Sequence, residues 1–178
     1  MRKVVLGMNL TLDGFAAGPG GELDWMFPNI DQELNHSIIG SLSEIDTFVM
    51  GRNTYLGMAA HWPNAKDPIA AAMNTASKLV FSKTLTTVDW RNSSLAQGDP
   101  AEELDRLKLQ PGKNIGVAGG ASFAQYVSGH GLVDEYRLTI HPVVLGDGIR
   151  LFAVPLKLTL IDSETFNTGA VIHTYRPA

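Results

Sequence analysis

The 178 residues include no cysteine, which excludes a disulfide framework, a thiolate nucleophile and a thiolate metal centre. Basic residues form no cluster and the formal net charge is −4, so neither nucleic acid nor an anionic membrane surface is an expected partner. No apolar run approaches the length of a membrane span. The opening Met1 to Leu6 imitates a signal segment, but Asn9, Thr11 and Asp13 interrupt it, so it reads as a first strand and the cytoplasm as the default compartment. His36, His130, His141 and His173 lack metal-ligand spacing, and no metal is expected. Two nucleotide fingerprints are missing as well. There is no G-x-G-x-x-G after the first strand with an acid about twenty positions on. Nor is there a G-x-x-x-x-G-K-[ST] loop or a magnesium carboxylate pair, which disfavours phosphotransfer. With no repeat, linker or low-complexity tract, residues 1–178 read as one domain.

What the chain does carry is a set of glycine corners. Ile115-Gly116-Val117-Ala118 is an apolar strand that stops in Gly119-Gly120 and restarts as a helix at Ala121-Ser122-Phe123. Residues without side chains let a ligand approach the backbone, and the free N–H groups of a first helical turn attract an anion. Two glycines there would equally serve a plain packing turn. The device recurs at Met50-Gly51-Arg52-Asn53-Thr54, where strand Thr47–Met50 runs into a short helix, and a third strand, Lys78–Phe81, ends in Ser82-Lys83.

Between these corners the chain alternates strand and helix. Val4–Leu12 is β-prone and is followed by a glycine-rich loop over 13–21. Leu34, Ile38, Ile39 and Leu42 make a helical stripe that Asp31 can cap. Helices are expected over 68–74, after Asp67, and from Asp99-Pro100 onward. Trp90 sits in an ambiguous polar stretch. From residue 132 the pattern alternates with period two at 134–141, 157–161 and 170–175, which reads as antiparallel strands with one apolar face in the core and the other available for a dimer seam. A mixed sheet covered by helices accommodates both halves.

In an open α/β sheet, ligands bind beyond the carboxyl ends of the strands, and the three corners would cluster there if their strands are parallel. Arg52 offers a planar fork and Lys83 a point charge, with hydroxyls from Thr54, Ser82 and Ser122. Such cations suit a 2′-phosphate and therefore NADP over NAD.

At this point the pattern resembles the dihydrofolate reductase-like fold, and within it the reductase domain of the riboflavin biosynthesis deaminase-reductases and their stand-alone relatives. The matching pieces are residues 9–17 (Asn-Leu-Thr-Leu-Asp-Gly-Phe-Ala-Ala), 50–55 (Met-Gly-Arg-Asn-Thr-Tyr), 118–120 (Ala-Gly-Gly), 132–135 (Leu-Val-Asp-Glu) and 142–152 (Pro-Val-Val-Leu-Gly-Asp-Gly-Ile-Arg-Leu-Phe). They occur in order over nearly the whole chain. The resemblance implies a three-layer α/β fold: a mixed sheet of mostly parallel strands, antiparallel at the C-terminus, with helices on both faces. It implies NADPH as cofactor, held by Gly51, Arg52, Asn53 and Thr54 and by Gly119, Gly120, Ala121 and Ser122 at the phosphates. Ser82 and Lys83 would lie near the 2′-phosphate, and Asn9, Ala16 and Ala17 at the nicotinamide. It further implies hydride transfer to a small planar N-heterocycle, a pteridine or pyrimidinone, and a homodimer.

The catalytic residues stay open. Trp25-Met26-Phe27-Pro28-Asn29-Ile30-Asp31 has the tryptophan, proline and acid of folate reductases with one residue extra, so Asp31 is either the acid or a helix cap. Asp13 is a second candidate, although Asp-Gly is also an ordinary turn. Trp25 and His61 could line the substrate cleft, and His61 could equally be structural. No cation cluster suits a ribose-5-phosphate. An alternative class is a catalytically silent NADP(H)-binding module.

Overall fold

A computed structural model describes residues 1–178. Ten strands and five helices follow in the order β1 (Val4–Thr11), β2 (Phe15–Ala17), α1 (Gln32–Ser43), β3 (Ile45–Gly51), α2 (Arg52–His61), α3 (Pro68–Thr75), β4 (Ser77–Phe81), β5 (Ser93–Leu95), α4 (Pro100–Leu109), β6 (Asn114–Val117), α5 (Ala121–Gly129), β7 (Glu135–His141), β8 (Ile149–Arg150), β9 (Leu158–Thr165) and β10 (Val171–Pro177). Eight of the strands form one sheet, ordered β5-β4-β3-β6-β1-β7-β10-β9, and β2 pairs with β8 apart from it.

The sheet is parallel from β5 through β7. Strand β7 runs alongside β1, with Asn9 beside Thr139 and Thr11 beside His141. The antiparallel strands expected from residue 132 are β7, β10 and β9, which pair in that order, each against its neighbour; β7 is the border strand, antiparallel to β10 and parallel to β1. Alternation alone cannot separate the two, because period two describes the side-chain faces and not the direction of the partner.

Each strand sends alternate residues to opposite layers. Val4, Leu6 and Leu10 of β1, with Val49, Ile115 and Val117, pack against Leu104 of α4 and Ala124 and Val127 of α5. Phe48, Met50 and Val80 face the other way, against Tyr55 of α2 and Met73 of α3. Leu34 of α1 meets Phe166 and Ala170. Helices thus cover both faces. Burying one such Leu or Ile side chain contributes roughly 1.5–3 kcal/mol.

Three helices begin with one device. The carboxylates of Asp31, Asp67 and Asp99 accept from the backbone N–H of Leu34 (2.8 Å), Ala70 (3.1 Å) and Glu102 (3.0 Å). Each cap is worth about 1 kcal/mol. Trp90, ambiguous in sequence, is buried. Its indole N–H donates to Asn74 Oδ1 at 2.7 Å, and the ring lies 4.1 Å from the Lys78 ammonium. Of the apolar residues of β9, Leu158 packs against the main core, whereas Leu160 and Ile161 remain 50% and 48% exposed on an edge strand. No helix is long and apolar enough to cross a membrane.

Candidate functional site

Strands β3 and β6 are neighbours, with Val49 paired to Val117 and the Ala118 N–H donating to Val49 O at 3.0 Å. Their carboxyl ends therefore emerge side by side, and the two glycine corners meet. Thr54, in the first turn of α2, lies directly against the second corner: a side chain on Gly119 would start 2.9 Å from its Cγ2, and one on Gly120 would overlap its hydroxyl. From the other side, the vacant side-chain position of Gly51 faces Phe123 Cβ of α5 at 3.5 Å. The N-termini of α2 and α5 consequently open onto one place.

The two corners differ in their need for glycine. Gly119 and Gly120 have φ of +48° and +64°, the left-handed region that other residues adopt at a cost. Gly51 has φ −81° and ψ 168°, which any residue can adopt, and a Cβ there would meet Phe123 Cβ at an ordinary 3.5 Å, so neither strain nor crowding requires its glycine. The space left by the absent side chains of Gly119 and Gly120 is taken by Thr54, and what fits a phosphate group is the first turn of α5, whose leading N–H groups have no intrahelical acceptor.

Strand β4 delivers the third corner. Phe81 pairs with Gly51, which sets Ser82-Lys83 next to Arg52-Asn53. Arg52 and Lys83 are exposed, and neither enters an ion pair within the chain. The Ser82 Oγ accepts from the N–H of Thr84 and Leu85 at 3.2 and 2.9 Å and lies 3.5 Å from the Thr84 hydroxyl, which orders this turn. Phe81 and Phe123 stack at 5.3 Å between the corners.

Asn9, Ala16 and Ala17 are on and beyond β1, the strand beside β6; with Leu6 paired to Val117, Asn9 lies three residues past the level at which β6 ends. Ala16 and Ala17 belong to β2, within the stretch expected as loop, and are buried, Ala16 within the main core. Two-residue β8 was missed too: strands this short carry too few residues for a period to show.

Asn9 is half-buried and lines a cavity of about 180 Å³ between α1 and the sheet. Its floor is Val5, Gly7 and Asn9, its roof Ile38 and Leu42, and Thr139 closes one side. A side chain at Gly7 would meet nothing within 4 Å, so the missing side chain leaves open floor. Arg137 is the one cation in the lining and is spent, paired with Glu44 and Glu135 at 2.7 Å each. Burial alone would raise the Glu135 pKa, but hydrogen bonds from Lys3 and Arg137 outweigh it and hold the carboxyl below its ordinary range.

The neighbouring residue that sequence reasoning passed over is His141. It is fully buried, with Nε2 2.8 Å from Asn9 Oδ1, and the Trp25 ring meets it edge-on at 5.5 Å. Burial lowers its pKa and keeps it neutral. Only the register of β7 against β1 brings it to Asn9, and that register is not visible in the chain.

Neither candidate carboxyl is free. Asp13 accepts from the Thr11 hydroxyl (2.7 Å) and from the N–H of Gly146 (2.8 Å) and Leu145 (3.3 Å). The Thr11 bond first, then those amides, lower its pKa against partial desolvation. It joins the turn after β1 to residues 145–146 as an ionised carboxylate. Asp31 caps α1 and lines a separate polar hollow with Glu33, His36 and Glu164. His61 is exposed at the far end of α2, packed edge-on against Trp62 at 4.7 Å. The length of that helix, about 15 Å, separates it from the Gly51 corner.

The eight-stranded sheet, parallel from β5 to β7 and antiparallel through β10 and β9, with helices on both faces, has the dihydrofolate reductase-like fold. The comparisons agree in fold: dihydrofolate reductase from Enterococcus faecalis, solved with NADP(H), superposes with a TM-score of 0.65 at 13% identity, over 98% of this chain and 96% of its own. The chain belongs to the RibD C-terminal domain family, whose pattern matches residues 2–172. A Shewanella sp. PV-4 protein named for riboflavin biosynthesis is similar at 25% identity and a TM-score of 0.77, covering 99% of both chains. The uncharacterized protein YyaP of Bacillus subtilis (strain 168) is 36% identical across 98% of this chain and 94% of its own. A reductase-type function is what this family and fold support.

Proposed function

We propose that the protein is an NADPH-dependent reductase of a small, uncharged, planar N-heterocycle. The observation that carries this reading is the packing of Thr54 against Gly119 and Gly120, which joins two phosphate-ready helix N-termini in one place. Gly51 to Thr54 and Gly119 to Ser122 would hold the pyrophosphate. Arg52, Ser82 and Lys83 would hold the 2′-phosphate, and Asn9, Ala16 and Ala17 the nicotinamide end. A reduced nicotinamide bound there would supply a hydride to the acceptor ring.

The chain's own part is positioning and exclusion of water. Apolar walls from Val5, Ile38, Leu42 and Ile172 suit a flat ring, and Gly7 leaves it space. Because Arg137 is already neutralised, the cavity offers no free cation for a substrate phosphate. With Asp13 turned to backbone amides and Asp31 spent on a helix cap, the proton is best supplied by water. The same commitment of both carboxyls favours a second reading, a silent NADP(H)-binding module. NADPH oxidation under a panel of pterins and pyrimidinones distinguishes them: turnover with any ring supports the reductase, and cofactor binding with no oxidation supports the module.

A further inference from the structure

His141 has one polar partner. Its Nε2 faces Asn9 Oδ1 at 2.8 Å, while Nδ1 is sealed from water with no partner at all. The groups around the ring are uncharged: Asn9 is an amide, Trp25 meets it edge-on, and Thr11, paired with it across the strands, turns its hydroxyl to Asp13. A neutral imidazole carries one proton. On Nδ1 it would be a buried donor with no acceptor; on Nε2 it meets the Asn9 carbonyl, and only a lone pair goes unpartnered, which is the smaller penalty.

That choice has a consequence at the cavity. With its oxygen engaged by His141, Asn9 must turn its NH₂ the other way. The Asn9 Nδ2 makes no hydrogen bond within the chain, and Asn9 is part of the cavity lining. We propose that His141 is a positioning residue: its Nε2–H fixes the Asn9 carboxamide so that two N–H donors face the cavity and select a ligand presenting a carbonyl acceptor. This inference rests on the reductase reading of the cavity. The acceptor could be the carboxamide of a nicotinamide or a lactam of the reducible ring, and the chemistry is the same.

The first test is nitrogen-15 NMR of the wild-type imidazoles, which needs neither ligand nor turnover. His141 is expected as the Nε2–H tautomer, without titration from about pH 5 to 8; the Nδ1–H tautomer, or protonation in that range, overturns the proposal. A protein that binds no cofactor yet shows this tautomer would defeat the reductase reading and leave the His141 assignment standing. The second test is binding of two probe pairs, NADP⁺ against its thionicotinamide analogue and 2,4-dioxopteridine against 2,4-diaminopteridine. The wild type should prefer the carbonyl member of at least one pair by about tenfold. Asn9→Asp should erase that preference, His141→Leu should weaken it, and His141→Gln, which keeps a donor, should retain part of it. The pair that responds identifies the source of the carbonyl. Equal affinities within both pairs, unchanged in Asn9→Asp, contradict the proposal.

Discussion

Thr54 and Gly120 are packed so closely that the threonine hydroxyl occupies the place where a side chain on Gly120 would begin. Sixty-odd residues apart in the chain, they lock the start of α2 against the start of α5. That contact is the one on which the proposed dinucleotide site rests.

Gly120→Ala should disturb both stability and binding. At φ +64° a non-glycine residue costs about 1–3 kcal/mol, and the new methyl must displace Thr54. A melting temperature lower by several degrees and a Kd for NADPH raised about tenfold or more are expected. Gly51→Ala is the contrast, since its methyl would rest 3.5 Å from Phe123 Cβ in ordinary contact. It should cost less in both measurements.

Arg52→Ala should discriminate between cofactors. A charge-assisted hydrogen bond to a 2′-phosphate is worth about 1.5–3 kcal/mol, so NADPH should weaken by about tenfold or more and NADH by little. Fluorescence titration with each dinucleotide checks this. Equal weakening removes the 2′-phosphate assignment from Arg52.

Asp13→Asn separates a loop tie from a catalytic acid. The folded-state pKa of Asp13 lies below its ordinary 3.8, so its contribution to stability is present above that value and fades as pH falls through the lowered one. The variant should lose stability at neutral pH and show a flatter acid limb. Its pH–rate profile should keep its shape between about pH 5 and 8. Loss of a limb there would make Asp13 the acid after all.

Lys78→Met should stabilise the fold near neutral pH. Burial, with Arg91 nearby, depresses the Lys78 pKa from 10.5 to about 8, and the ammonium donates only to Met73 O at 3.0 Å and faces the Trp90 ring. Between pH 8 and 10.5 the unfolded chain binds more protons than the native one, so wild-type stability should rise across that window by up to about 3 kcal/mol. In Lys78→Met the rise should vanish. Urea denaturation at pH 7, 9 and about 10.5 would show it, and a parallel rise in the variant would assign the effect elsewhere.

Much of this fold was legible because its signals are local. Asp31, Asp67 and Asp99 announce helix starts, and the apolar strands running into Gly51 and Gly119 mark two corners. What the chain could not show depends on register and neighbours. Strand β7 alternates in the same way whether β1 lies parallel or antiparallel to it, and Leu160 of β9 looks like core until its place at the sheet edge is known. His141 carries no motif; it matters because Thr11 is its partner and Asn9 lies within reach. Lys78 opens the third strand with nothing in the sequence to show its burial, yet Trp90, twelve positions on, covers it.

Calorimetric titration of the purified protein with NADPH and NADH addresses the joined corners most directly. A single site per chain is expected, preferring NADPH by about tenfold or more and weakened by Gly120→Ala. No heat of binding with either dinucleotide, or equal affinity for both that survives Gly120→Ala, would contradict the account.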